Sequence, residues 1–184
     1  MQRIEPAKPP FPPEVDALIN RIVPPGVPPF TLFTTLARDP RLFVRFAGRG
    51  LLGRGNVTVR QREIVIDRVT SQCGSEYEWG LHVSFFREEC KFTDEEVYSL
   101  VHGGPDDPCW TAEEKLLIRM CDSLYKTCNI DQELWDGLKK FLSDVGVMEL
   151  IILAGSYRTV AYLTNSIQMP LEDFGARFPA KKKK

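Results

Sequence analysis

Thr111 through Cys128 reads TAEEKLLIRMCDSLYKTC, and this stretch decides the fold class. Thr111 with Glu114 three positions on is a capping box: the threonine hydroxyl accepts from the N–H of the residue three on, while that residue's carboxylate accepts from the threonine's own N–H. Beyond it Leu116, Leu117, Met120, Cys121, Leu124 and Cys128 recur at the 3.6-residue period that gives a helix one apolar face. Thr58 with Gln61 and Thr93 with Glu96 repeat the box, so two more helix starts are expected there. Working outward, helices are predicted over 30–38, 40–53, 58–73, 75–90, 93–102, 111–128, 131–142 and 144–168, with stops at Gly103-Gly104-Pro105 and at Asn129. No segment alternates with a two-residue period. The expected architecture is therefore all-α, a single-domain helical bundle.

Composition sets the outer bounds. A chain of 184 residues, 43% hydrophobic and 27% charged, suits one globular core. Twenty-four basic against 25 acidic side chains leave a net charge of -1, which supplies no field to hold a phosphate backbone, so nucleic acid is not an expected partner. The longest apolar run, Leu150 to Gly155, falls short of the roughly 18 residues of a membrane span, so no membrane partner is expected either. The N-terminus has Arg3, Glu5 and repeated prolines where a secretory signal has an apolar run, which makes the cytoplasm the expected location. Cys73, Cys90, Cys109, Cys121 and Cys128 stand 17, 19, 12 and 7 residues apart, without a CxxC or a zinc-ligand spacing, and read as reduced, mostly buried thiols.

Nine of the 14 prolines lie within residues 1–30, where only Glu14 to Ile22 leaves room for a short helix. Residues 1–30 thus read as a proline-rich arm, extended over the domain or a neighbouring subunit, with disorder as the alternative. The helical domain is placed at 31–175. Residues 176–184, ending in Lys181 to Lys184, read as a solvated basic tail.

The segment able to carry chemistry is Ser75-Glu76-Tyr77-Glu78-Trp79-Gly80-Leu81-His82. The i,i+4 spacing of Glu78 and His82 sets a carboxylate and an imidazole one turn apart on one helix face, where they can share or orient a proton. That face continues through Ser75 and Phe85 or Phe86, and Trp79 and Tyr77 stand beside the pair as possible ring-stacking surfaces. Histidine takes and gives protons near neutrality, which makes His82 the candidate general acid or base. No metal is expected: His102 is the one other histidine, and the second histidine of a zinc helix is missing.

Glu63 within Arg60-Gln-Arg-Glu-Ile-Val-Ile-Asp-Arg-Val69, followed by Glu76-Tyr-Glu-Trp-Gly-Leu-His82, resembles the carboxymuconolactone decarboxylase and alkylhydroperoxidase D-like superfamily. The Glu-Tyr-Glu-Trp-x-x-His string is similar to its decarboxylase-like side. Pro40-Arg-Leu-Phe43, Glu149 to Tyr157 and Met169-Pro-Leu-Glu172 resemble the flanking helices, so the likeness spans about residues 35 to 173. In the family's peroxidases a glutamate precedes a CxxC and a histidine. That register puts Ser75 and Glu78 at the two thiol positions and keeps Glu63 and His82. The resemblance thus implies proton transfer in place of redox chemistry. The expected activity is a cofactor-independent, decarboxylase-like lyase or isomerase acting on a small carboxylated, lactone-like or aromatic-derived substrate, with His82, Glu78 and Glu63 catalytic. Ser75 and Trp79 are the expected substrate contacts, and Arg68 and Arg158 the candidate carboxylate anchors. A non-enzymatic binding or scaffold protein, and a peroxidase using Cys73, are the alternatives. The resemblance also implies a homo-oligomer, a trimer or hexamer.

Overall fold

The computed structural model describes residues 2–48, 52–53 and 55–182. Among them the chain forms nine helices and no strand: α1 Pro13–Ile22, α2 Thr31–Leu36, α3 Pro40–Ala47, α4 Val59–Gln72, α5 Glu76–Cys90, α6 Asp94–His102, α7 Ala112–Thr127, α8 Gln132–Leu138 and α9 Asp144–Ile167. The three capping boxes close in both directions, at Thr58 with Gln61, Thr93 with Glu96 and Thr111 with Glu114. All-α is the observed class.

Several helix ends depart from expectation. α3 stops at Ala47 instead of 53; Gly48, Leu52 and Gly53 are not helical, and 49–51 lie outside the described residues. α8 stops at Leu138 instead of 142. There the N–H groups of Lys140 and Phe141 donate three residues back, to Gly137 and Leu138, and the tightened turn sets Leu142 in the core and Ser143 as the cap of α9. α7 ends one residue before Asn129, on Cys128 in the left-handed conformation (φ 55°).

α4 is the axis of the bundle. It packs against α5, α6, α7 and α9, and every residue from Arg62 to Thr70 is buried. Burying a helix that carries Arg60, Arg62, Glu63, Asp67 and Arg68 costs heavily unless each charge is paired or neutralised. Arg60 is met by Glu96, by Glu114 at 2.6 Å and by the Cys90 carbonyl at 2.7 Å. Arg68 binds Asp122 at 2.8 Å and the carbonyls of Leu100 and Gly103 at 3.1 Å, closing the C-terminus of α6. Arg62 and Glu63 pair with each other.

Both termini join this core. α1 starts on Pro13, the position where a proline's missing N–H is no loss, and packs on α3 with Val15, Ile19 and Val23 buried. At the other end the 174–179 segment lies along α5. Ala176 donates to the Gly80 carbonyl at 3.0 Å, Phe178 N–H donates to Glu76 at 2.8 Å, and the Phe178 ring sits 5.0 Å from that of Trp79. The basic tail is thus docked along the domain: the Pro179 carbonyl lies 2.6 Å from His102, and Lys182 donates its N–H to the Tyr98 hydroxyl at 3.3 Å with its ammonium 4.8 Å over the Tyr98 ring. Lys183 and Lys184 lie outside the described residues. α9, at 24 residues and a hydropathy of 1.2 in its most apolar window, is long and apolar enough to cross a bilayer, but 44% of that window is buried in the domain, as in the core helix of a bundle.

Candidate active site

Two neighbouring helices set the central contacts. Gly74, at φ +65°, supplies the left-handed turn between α4 and α5, and Ser75 N–H closes it on the Thr70 carbonyl at 2.9 Å. α5 then runs back along α4, bringing His82 opposite Glu63, 19 positions earlier. The His82 Nδ1–H donates to Glu63 Oε2 at 2.7 Å, and Nε2 stands 3.5 Å from Glu78 Oε1. The spacing on α5 suggests Glu78 as the histidine's partner; its nearer partner is Glu63, on another helix. Glu63 is itself held by Arg62, whose Nε donates at 2.6 Å while its Nη1 donates to the Leu52 carbonyl at 2.8 Å. Phe86 lies between them, stacked on the imidazole at 5.6 Å and under the Arg62 guanidinium at 4.8 Å.

This arrangement fixes a charge. Burial by itself lowers the His82 pKa, but the Glu63 carboxylate and the contacts with Glu63 and Glu78 outweigh it and lift the pKa to about 10. His82 is therefore an imidazolium at neutral pH. Glu78 Oε2 is buried without a hydrogen-bond partner, leaving one carboxylate oxygen free to accept a proton.

Two further groups belong to this cluster and escaped the sequence reading. Tyr157 on α9 meets the His82 ring edge-on at 4.9 Å. Burial and the Glu78 and Glu63 carboxylates keep its phenol protonated, and its hydroxyl has no hydrogen-bond partner among the described residues. Asp67, one turn after Glu63 on α4, is 1% exposed with both carboxylate oxygens unpartnered. Burial, then Glu63, raises its pKa well above the ordinary value, His82 opposing, so Asp67 is held as a neutral acid. An apolar-looking helix period hides Asp67, and Tyr157 is brought in by a helix 75 residues away.

Glu78, His82 and Tyr157 open on a cavity of about 830 Å³. Phe30, Phe33, Phe46, Phe85 and Phe86 wall it, and the arm contributes Arg21, Ile22 and Pro24. Glu63 stands behind His82, outside the lining. The proposed substrate contacts lie elsewhere. Ser75 is fully buried with its hydroxyl 2.8 Å from Thr164, tying α5 to α9. Trp79 turns to the opposite face of α5, against Phe178. Arg68 is consumed by Asp122 and the end of α6, and Arg158 is half-buried against Tyr162 and Tyr125. None of these four lines the cavity, because each finds its partners in another helix or on the surface. Cys73 does not line it either, and burial raises its thiol pKa, Arg158 opposing, which works against the thiolate a peroxidase needs. Among the described residues no group of three or more His, Cys, Asp or Glu side chains is arranged to hold a metal ion.

No protein-family model matches the sequence, and no curated protein matches it. Solved structures do. An alkylhydroperoxidase AhpD core, an uncharacterized peroxidase-related protein from Ralstonia eutropha JMP134, superimposes with a TM-score of 0.77 over 89% of this chain and 87% of its own, at 15% identity. An uncharacterized peroxidase-related protein from Silicibacter sp. TM1040 gives 0.78 over 97% and 96%, at 16% identity. The debrominase Bmp8 gives 0.73 over 93% and 92%, at 13% identity. At such identities the likeness is one of fold, and the fold of this chain is that of the AhpD-like proteins.

Proposed function

We propose that the protein is a cofactor-independent lyase of decarboxylase-like type, acting on a carboxylated, aromatic-derived compound by proton transfer through His82. One observation carries this reading: a histidine kept protonated by Glu63 at 2.7 Å faces, with Glu78, an aromatic-walled cavity. In a substrate whose carbonyl lies β, or vinylogously β, to the departing carboxylate, the carbon–carboxylate bond breaks, carbon dioxide leaves and the electron pair moves into the carbonyl to form an enolate. The resulting enolate carbon takes the proton of His82 Nε2. Glu63 holds Nδ1 throughout and orients the ring. The Tyr157 hydroxyl is placed to donate to the enolate oxygen, and the apolar walls strip water from the leaving carboxylate. Isomerisation uses the same groups without loss of carbon dioxide: Glu78 takes a proton from one carbon, His82 gives its own to another, and the Glu78 proton then passes to His82 Nε2, 3.5 Å away, to restore both. An aromatic-derived substrate is also in keeping with a variant of the debrominase Bmp8 having been crystallised with 2,3,4-tribromopyrrole.

The test is a panel of aryl and lactone β-keto or vinylogous acids in D₂O, following carbon dioxide and carbon-bound deuterium. Release of carbon dioxide with one deuterium incorporated, lost in His82→Gln and reduced about 10²-fold or more in Tyr157→Phe, supports the lyase reading. Turnover intact in His82→Gln overturns it.

Self-association and a cytoplasmic location remain part of this proposal. Val145, Met148, Ile152 and Tyr162 are all at least half exposed and fall on one side of α9 at helical spacing, an apolar stripe of the kind a second subunit covers.

A further inference from the structure

The charges around the cavity do not cancel. Arg62 and Glu63 offset each other behind the wall, and Glu78 stands against the His82 imidazolium. That leaves Arg21. Its side chain lines the cavity from the last turn of α1, and among the described residues no carboxylate lies within 4 Å of it and no hydrogen bond ties it down. It is exposed, so its guanidinium is solvated and ready to exchange water for an anion. Among the described residues, the cavity thus carries one positive charge without a partner, supplied by the proline-rich arm.

Size points the same way. About 830 Å³ lies near the upper end of the ~300–1,000 Å³ typical of pockets that enclose drug-sized ligands. A single small lactone ring would leave most of it to water, beside walls of phenylalanine that gain nothing from being wet. The rings of Phe30, Phe33 and Phe85 already pack edge-tilted at 5.3 to 5.8 Å, the geometry in which a further aromatic plane is accepted.

We propose that the cavity takes a bulky aromatic carboxylate of about two or three rings, with one carboxylate held by Arg21 of the arm and its ring system lying on the phenylalanine walls. The inference rests on the reading of this cavity as the reaction chamber, and it makes the arm the element that sets substrate class. Ordering α1 through Val15, Ile19 and Val23 is what places Arg21 at the rim. The carboxylate at Arg21 is a recognition group. In a lyase substrate the group that departs is a second one, or the same one after the chain has turned; binding does not depend on which.

The experiment is calorimetric binding to the full chain, with no turnover involved, of 2-naphthoate, its neutral analogue 2-naphthylmethanol, and benzoate as the one-ring control. Wild type is expected to bind 2-naphthoate at least about tenfold more tightly than either of the others. Arg21→Gln, a surface change that leaves the core untouched, is expected to weaken 2-naphthoate about tenfold or more while leaving 2-naphthylmethanol unchanged, the loss of one charge-assisted contact. Arg21→Lys should restore part of it. Equal affinity for the acid and the alcohol, or an Arg21→Gln effect shared by both, overturns the anchor. Benzoate binding as tightly as 2-naphthoate overturns the size class. His82→Gln should still bind 2-naphthoate, so a failure of the proton-transfer reading shows as lost catalysis with binding intact, and a failure of this inference as lost discrimination.

Discussion

Replacing Glu63 with glutamine keeps the shape of the side chain against His82 and removes only its charge. In the wild type the imidazole pKa stands at about 10, because a carboxylate 2.7 Å away outweighs complete burial. Deleting one member of a buried ion pair costs about 3–5 kcal/mol, and at 1.36 kcal/mol per pH unit this lowers the histidine by roughly two to four pH units, to about 6–8. Glu78, at 3.5 Å, keeps it from falling further. The chain has two histidines, so ¹⁵N imidazole resonances followed from pH 5 to 11 resolve both, with His102→Gln giving the assignment. Linkage gives an independent reading. A base whose folded pKa is raised stabilises the fold fully below its unfolded value near 6.5 and loses that contribution as pH rises through about 10. Wild-type stability should therefore decline between about pH 7 and 10, by at most roughly 5 kcal/mol, and Glu63→Gln should show little of this slope. Activity that needs the imidazolium should lose its alkaline limb near 10 in the wild type and near 6–8 in the variant. A wild-type His82 titrating near 6.5, or a Glu63→Gln shift smaller than about one pH unit, refutes the reasoning.

Other expectations follow from single contacts. Asp67 holds its proton in the fold and releases it when unfolded, so its cost to stability grows as pH rises above about 4. Asp67→Leu, which removes two unpartnered acceptors, should raise stability by about 1–3 kcal/mol at pH 7–8 and much less at pH 4, and thermal melts showing a loss at both pH values contradict this. A Cβ on Gly80 would sit 2.3 Å from the Ala176 carbonyl oxygen, so Gly80→Ala should detach the C-terminal segment at a cost of about 1–3 kcal/mol, read as lost amide protection at Ala176; unchanged protection counts against it. Ile152→Lys puts a charge in the exposed stripe of α9 and should lower the mass measured by light scattering, whereas an unchanged oligomer would place the subunit contact elsewhere.

Helices were legible because the signals that start and hold them are local. A threonine and the carboxylate or amide three residues later close their box whatever surrounds them, as at Thr58, Thr93 and Thr111. Helix stops leave fainter marks in the sequence. Cys128 ends α7 in a conformation that glycine usually takes, and α8 ends on backbone bonds that leave no mark in composition.

The site divides along the same line. His82, Glu78 and Glu63 could be placed by spacing and register, since two of them share one helix face and the third stands 19 positions upstream in a recognisable pattern. Arg68 and Arg158 could not be judged that way. A guanidinium near a motif looks like an anchor until its partner is known, and the partner of Arg68, Asp122, is 54 residues distant. The sequence alone determined an all-α chain with Glu78 and His82 one turn apart on one helix face, because caps, periodicity and spacing are properties of neighbours along the chain, while the place of Glu63 came from the resemblance to the AhpD-like pattern. Tertiary structure alone decided that Glu63 fixes the charge on His82, that Asp67 is a neutral buried acid, that Tyr157 joins the cluster and that Arg21 of the arm reaches the cavity. Each of these depends on burial and on contacts between distant segments, and electrostatics follows distance in space.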